Sequence, residues 1–407
     1  MSRPSGKGGD RIVVRTRTGS GPGAVIAGAG LTEVGKVYGR SATDFAADAV
    51  RRAVADAGLT LRDLDGLLIS AGVKRDVTVG LQNVLGLRDL RLLTDMNAFG
   101  ATAGSMLTFA AAAVSSGMAE TVACVFADAP LKPKVSAGAA YTGRTPKLPR
   151  GFAGLQVTSG ITNPNVKYAM AARRHMAAYG TTSEQFGAIA VAQRAWAAMN
   201  PVAQLRDPIS LADHQASRWI CEPLHLLDCC LVSNGGAAVV VTTPERAADL
   251  AQPGVPILGY GQGHPGQVME RDSDFGLRTG AAISGATAMR IAGVTPPDVD
   301  VLELYDCYTY TVLVSLEDYG FCEKGEGGKF VEDGRTAPGG GLAVNTGGGQ
   351  LSGFYLWGMT PLYEAVLQAR GHAGQRQVDK HDIVLVSGNG GILEHHATLV
   401  LGSEATL

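Results

Sequence analysis

Hydrophobic and polar positions along the chain follow two rhythms, a continuous apolar run and a recurrence every three or four residues. The first run, AVIAGAG (24–30), predicts a buried strand ending in glycines. SATDFAADAVRRAVADAG (41–58) then shows the helical recurrence, with Ser41 suited to an N-cap and Gly58 to a stop. LTLRDLDGLLISAG (59–72) predicts a turn and a strand. TAGSMLTFAAAAVSSGMAETVACVFA (102–127) predicts a helix and a strand, and the alanine-rich part of that helix (110–114) carries no polar stripe. Such a helix is expected to be buried on all sides, between two sheets. LVSNGGAAVVVTTPERA (231–247) predicts a glycine turn into a β-branched strand, which Cys229 and Cys230 are expected to begin as filler.

Part of this pattern occurs twice. AGLTLRDLDGLLIS (57–70) returns as AGVTPPDVDVLELY (292–305), with Ala57/Ala292, Gly58/Gly293, Thr60/Thr295, Asp63/Asp298, Asp65/Asp300 and Leu67/Leu302 in register. A helix and strand of the 102–127 kind also return, as YLWGMTPLYEAVLQARG followed by HDIVLVSGNGG. The spacing is too long for a solenoid unit and predicts two similar βαβ-type halves. The expected division is a leader at 1–22, an N-terminal half at 23–250 and a C-terminal half at 251–407. The less patterned stretch 129–224 reads as an inserted loop or lid region.

Composition narrows the function classes. The chain has 407 residues, 45% hydrophobic and 18% charged, with formal net charge −2, so nothing points to nucleic acid or an anionic membrane surface. No apolar run approaches the ~20 residues of a membrane span. The basic Gly- and Ser-rich leader lacks the apolar core of a secretion signal, and a cytoplasmic location is expected. Cys124, Cys221, Cys229, Cys230, Cys307 and Cys322 contain no CxxC pair, so no metal site is expected. Gly28-Ala29-Gly30 lacks the third glycine and the later acidic residue of a dinucleotide site. Arg173 and Arg174 lie where they could meet phosphates or form a solvated helix face.

Five further segments are distinctive: YAMAARRHMAAYGTTSEQFGAIA (168–190), PLHLLDCCLVSNGGAAVVVT (223–242), LELYDCYT (302–309), NTGGGQLSG (345–353) and SGNGG (387–391). With the duplicated halves and the buried alanine-rich helix, they resemble the thiolase superfamily, in its sterol-carrier-protein-thiolase-like branch, over nearly the whole chain. The resemblance implies an α/β thiolase fold, two similar halves in a five-layered αβαβα arrangement. It also implies four chemical positions, which this chain fills abnormally. Gly100 stands where the family's nucleophilic cysteine heads the buried helix; a slip of one residue would put Ala101 there. Tyr305-Asp306-Cys307 replaces the family's Asn/His-Asp/Glu loop, and Tyr355 replaces its general-base histidine. Ser387 or a neighbour stands at the second cysteine. Cysteine acyl transfer is therefore chemically implausible.

Tyrosines in place of histidines, with no cysteine, resemble the thiolase-like aldolases of steroid side-chain degradation. The resemblance implies retro-aldol cleavage of a β-hydroxyacyl-CoA, with a small zinc-ribbon/OB-fold partner protein and a homodimer. No permanently bound cofactor is expected, the substrate itself carrying coenzyme A. Tyr305 and Tyr355 are assigned as the proton-transfer pair, with Asp306 beside them. Such a pair works when the phenol pKa, about 10 in water, is lowered by its surroundings. Tyr305 is expected to take the hydroxyl proton and Tyr355 to reprotonate the enolate. Backbone N–H groups of Gly390 and Gly391, with Asn389, are the expected enolate stabilisers. Gly100, Ala101, Cys307, Gly353 and His396 are the expected substrate pocket, the missing cysteine leaving room for a bulky substrate. His264 in GHPG lies in the wrong place to replace the family's histidine. Two rivals remain open: a thiolase or acyltransferase with another nucleophile such as Cys307, and a non-catalytic acyl-CoA-binding subunit of a complex.

Overall fold

The computed structural model describes residues 23–70, 72, 75–140, 154–161, 163–266 and 274–407. The expected leader, 1–22, lies outside the described residues, as does part of the expected lid, 141–153 and 162. Ten strands form the main sheet: β1 Val25–Leu31, β2 Gly66–Ser70, β3 Leu92–Met96, β4 Thr121–Asp128, β5 Gly235–Thr242, β6 Val255–Gly263, β7 Val301–Glu303, β8 Ala343–Val344, β9 Ile383–Gly390 and β10 His395–Gly402. Seven helices matter for the site: α1 Ala42–Asp56, α2 Thr102–Ser115, α3 Pro164–Tyr179, α4 Ser183–Ala198, α5 Ala281–Ala292, α6 Thr309–Asp318 and α7 Met359–Ala369.

The strand order is β8-β7-β9-β10-β6-β1-β5-β4-β2-β3. Read outward from the β1/β6 seam, both wings have one plan. β1 is antiparallel to β5 and β5 to β4, while β4, β2 and β3 are parallel. β6, β10, β9, β7 and β8 repeat that sequence of directions. The seam itself is short, pairing Val25 with Pro256 and Ile26 with Val255.

Repeated residues do repeated jobs. Thr60 and Thr295 each donate N–H and O–H to an aspartate three residues on, Asp63 and Asp298, which turns the chain into β2 and β7. Asp65 accepts the Thr121 N–H at the start of β4, and Asp300 accepts the Ile383 N–H at the start of β9. Each aspartate thereby fixes which strand its own strand adjoins. Ser41 and Asp44 close a reciprocal cap on α1.

Helix α1 covers β1, β4 and β5 from outside, and α5 covers β6 and β10. Between the wings lie α2, touching β2, β4 and β5 on one side and β9 and β10 on the other, and α7, which touches β9 and β5. Five layers result. Ala110, Ala111 and Ala113 of α2 are buried by the chain's own sheets, so only Ala112 of that run faces outward. The close packing of these alanines is used inside the protomer.

Candidate active site

The site forms where the ends of β7 and β9 meet the turn before α2. β7 stops at Glu303, and the chain beyond it is braced against the segment after β8. The Asn345 Oδ1 accepts the Leu304 N–H at 2.6 Å, and Glu303 Oε1 accepts the Thr346 N–H and O–H at 3.0 and 2.8 Å. This bracing delivers Tyr305 and Asp306 in fixed directions.

Asp306 turns away from the phenols. Its buried carboxylate accepts the Gln350 N–H at 2.9 Å and the Leu351 N–H at 3.1 Å. Those residues belong to a wide helical turn, Gly349–Gly353. Gly349 has φ +58°, and a β-carbon there would lie 2.1 Å from Asp306 Oδ2, so the approach requires glycine. Burial pushes the Asp306 carboxyl up to about 7, against the pull of those N–H groups. The turn ends at Gly353, whose carbonyl accepts the Gln204 N–H. Tyr355 comes next but one, its own N–H held by Ser233 Oγ at 3.0 Å.

The two phenol oxygens of Tyr305 and Tyr355 lie 3.3 Å apart. Tyr305 is buried and Tyr355 half-buried. Burial pushes the Tyr305 phenol well above its ordinary value, the nearby Cys307 adds to this, and the Tyr355 hydrogen bond opposes it. The phenol pKa at Tyr305 is therefore raised, not lowered as the chemistry was expected to require. Tyr305 keeps its proton at neutral pH.

Gly100 lies in a short turn, Phe99–Ala101, ahead of α2. A β-carbon on Gly100 would lie 2.3 Å from the Tyr305 ring and 2.2 Å from the Asn389 carbonyl oxygen. The volume of the missing nucleophile is thus filled by the Tyr305 ring; it is not left for a bulky substrate. Ala101 is fully buried beside it. Gly388 and Gly390 let β9 lie against this turn: β-carbons there would lie 2.8 Å from the Gly100 oxygen and 2.0 Å from the Ala98 oxygen. Gly391 follows with φ +63°.

Side chains of Asn389 and His396 stand opposite one another across β9 and β10. His396 is buried, with Nε2 2.9 Å from Ser387 Oγ and 3.1 Å from Tyr319 Oη, and burial lowers it to about 3. It belongs to a neutral network under α5 and α6, while Asn389 reaches Tyr168. His264 is exposed and paired with His395 at 3.2 Å, apart from the tyrosines. Cys307 is buried and pushed up to about 12 by desolvation, a protonated thiol at neutral pH. Cys229 and Cys230 begin no strand, since β5 starts at Gly235. The Cys230 N–H instead bonds the Cys307 carbonyl at 3.0 Å, and the Cys229 thiol donates to the His225 carbonyl.

Sequence reasoning passed over Ser233, Glu303 and Tyr168. Tyr168 sat inside a distinctive segment, but a helical tyrosine gives no chemical signal. Ser233 and Glu303 act on residues far away in the chain. Among the described residues no cluster of three or more His, Cys, Asp or Glu could hold a metal, and no helix is long and apolar enough to cross a membrane.

The chain is similar to several known proteins. Residues 261–403 match the family model for the thiolase C-terminal domain-like region. The chain is 39% identical over 381 residues to a steroid side-chain-cleaving aldolase of Thermomonospora curvata, covering 91% of this chain and 96% of that one. It is 36% identical to the 17-hydroxy-3-oxo-4-pregnene-20-carboxyl-CoA lyase of Mycobacterium tuberculosis, covering 90% and 96%. The solved Ltp2-ChsH2(DUF35) aldolase superposes with TM-score 0.83 and 37% identity, over 95% of this chain and 99% of that one.

Proposed function

The chain belongs to the thiolase superfamily, in its branch of thiolase-like aldolases, and from that premise we propose that it cleaves a β-hydroxyacyl-CoA, a steroid side-chain thioester, by retro-aldol chemistry. It is a carbon–carbon lyase acting on acyl-CoA. The products are a ketone or aldehyde and a shorter acyl-CoA. The observation that carries this reading is the 3.3 Å pair of phenol oxygens beside a position that holds no nucleophile.

The roles follow from burial. Tyr305 holds its proton and serves as the acid, while the more accessible Tyr355 serves as the base, a role for which it must first lose its own proton; this reverses the division expected from the sequence. Tyr355 takes the β-hydroxyl proton. The Cα–Cβ bond breaks, its electrons form the thioester enolate, and the β-carbon becomes a carbonyl. Tyr305 then protonates the α-carbon, and the proton on Tyr355 crosses the hydrogen bond to restore Tyr305. The cycle consumes no net proton and requires no acyl-enzyme. Enolate charge is met by the Gly390 and Gly391 N–H groups and by Asn389. Asp306 is a positioning residue, because it holds the turn that carries Tyr355. No resident cofactor is required.

The solved Ltp2-ChsH2(DUF35) aldolase supports a DUF35 partner for this chain; the small zinc-ribbon/OB-fold character of that partner and a homodimer are proposed from the resemblance alone. The test is incubation of the co-expressed pair with a panel of β-hydroxyacyl-CoAs, with carbonyl and shortened acyl-CoA products measured. Tyr305→Phe and Tyr355→Phe should each lower kcat by about 10²–10⁴-fold. Cleavage at the wild-type rate by either variant would remove that tyrosine from the mechanism. An acyl-enzyme detected by mass spectrometry would instead favour the acyltransferase rival.

A further inference from the structure

Asn389 is 2% exposed, and its Oδ1 has no hydrogen-bond partner. Its Nδ2 reaches Tyr168 Oη at 3.4 Å. A buried acceptor left unpaired costs about 1–3 kcal/mol, so such a group calls for a ligand. His396, opposite it across the strand pair, bonds Ser387 and Tyr319 through Nε2, and its Nδ1 is likewise buried without a partner. The backbone of Asn389 flanks the point where a Gly100 β-carbon and the Tyr305 ring would meet. The carboxamide itself meets Tyr168, whose phenol is close enough to those of Tyr305 and Tyr355 to act on them electrostatically, so the amide borders the reacting centre.

Tyr168 is itself placed with care. It projects from α3, 5% exposed, and its ring lies 4.5 Å from that of Tyr308. The Tyr308 hydroxyl donates to Asn165 Oδ1, nearly one turn earlier on α3. The Tyr168 hydroxyl also meets the Cys307 thiol. A hydroxyl both donates and accepts, so Tyr168 serves the amide in either orientation. With the amide turned over, the Tyr168 O–H donates to Oδ1, and an Nδ2–H takes the direction in which Oδ1 now has no partner.

We propose that Tyr168 is a positioning residue for the lyase reaction, holding the Asn389 carboxamide so that its free N–H meets the thioester oxygen as that oxygen becomes an enolate. The inference rests on the lyase reading above, which already gives Asn389 to the enolate, and adds the side chain that holds that amide in place. Such a donor stabilises charge that develops only during bond cleavage, so its loss falls on kcat and leaves KM nearly unchanged.

The test is a double-mutant cycle on the co-expressed complex, with kcat and KM measured on a cleaved β-hydroxyacyl-CoA. α-Proton exchange of the shortened acyl-CoA in D2O is followed in parallel. Asn389→Ala should lower kcat by about 10²–10³-fold. Tyr168→Phe, which keeps the ring against Tyr308, should lower kcat and the exchange rate by roughly 10–100-fold with KM within threefold. The double variant should be no slower than Asn389→Ala alone, because Tyr168 acts through that amide. Unfolding midpoints check that both variants fold; should Asn389→Ala not fold, Asn389→Ser takes its place. Wild-type kcat in Tyr168→Phe, a loss confined to KM, or losses that multiply in the double variant would each overturn the inference and leave the lyase reading standing. A wild-type complex that neither cleaves nor exchanges any member of the panel overturns both.

Discussion

A β-carbon at position 100 would overlap the Tyr305 ring at 2.3 Å, so one phenol now occupies the volume of a lost side chain. Gly100→Cys should therefore not restore a thiolase. The added atoms must displace the ring or the Asn389 carbonyl, an overpacking typically worth 1–3 kcal/mol. The expected outcome is a lower unfolding midpoint, strongly reduced cleavage and no acyl-enzyme by mass spectrometry. A variant matching the wild type in midpoint and rate would show that the ring is not held there. Asp306 gives a second prediction at this scale. Its carboxyl, pushed up to about 7 by burial, is charged above that pH and protonated below it. Only the charged form accepts fully from the Gln350 and Leu351 N–H groups that hold the turn before Tyr355. Cleavage should accordingly fall as pH drops through about 7, and Asp306→Asn should flatten that limb at a lower rate. A limb unchanged in Asp306→Asn would assign it to another group. Residue identities at the family's positions were legible in the sequence. That Tyr305 fills the space beside Gly100, and is buried enough to hold its proton, was not, because both depend on side-chain placement among β7, β9 and α2.

At the scale of elements, what could be read were those whose cause is local. Ser41 with Asp44, Thr60 with Asp63 and Thr295 with Asp298 cap or turn the chain within three residues, so spacing alone reveals them. Segment 229–234 shows the opposite case. Cys229 and Cys230 looked like the start of a strand, but the N–H groups of Cys230, Leu231 and Asn234 bond Cys307, Gln350 and Gly35, all remote in sequence. No periodicity encodes such partners. The same segment supports the site through Ser233, whose buried Oγ accepts the Tyr355 N–H and a bond from Gln204 Nε2 at 2.6 Å. Ser233→Ala leaves both donors without that acceptor and frees the backbone beneath Tyr355. Loss of one such acceptor costs about 1–3 kcal/mol. We expect a lower unfolding midpoint and a kcat reduced roughly tenfold, since small misplacement of a reacting group is costly. An unchanged kcat with a lowered midpoint would confine Ser233 to stability.

For the whole molecule, the decisive feature is that neither wing can bury its own inner face. α2 follows β3 in the N-terminal wing yet packs on β9 and β10, and α7 of the C-terminal wing packs on β5. Gly104 of α2 shows how closely: a β-carbon there would lie 2.8 Å from that of Ala397 on β10. Covalent order predicts two units, whereas the packing makes one. The duplicated motif was legible because its capping aspartates recur in register; the sharing of central helices was foreshadowed only by the missing polar stripe of 110–114. Arg370, just beyond α7, joins the wings a second time. Its guanidinium bonds Asp56 Oδ2 of α1 at 2.8 Å and the Pro253 carbonyl at 3.0 Å, while Asp56 also accepts the Ala29 N–H of β1. The Arg370 side chain is 2% exposed and that of Asp56 29%, so water can recover part of the aspartate's loss. Arg370→Met should therefore destabilise by about 1–3 kcal/mol, short of the penalty for a fully buried pair, and should leave cleavage intact. Because the central helices are shared, denaturant should unfold the variant and the wild type alike in one transition, detected together by fluorescence and far-UV dichroism. Two transitions in the wild type would mean that each wing holds its own core; two in Arg370→Met alone would mean that this single ion pair, and not the shared helices, couples them.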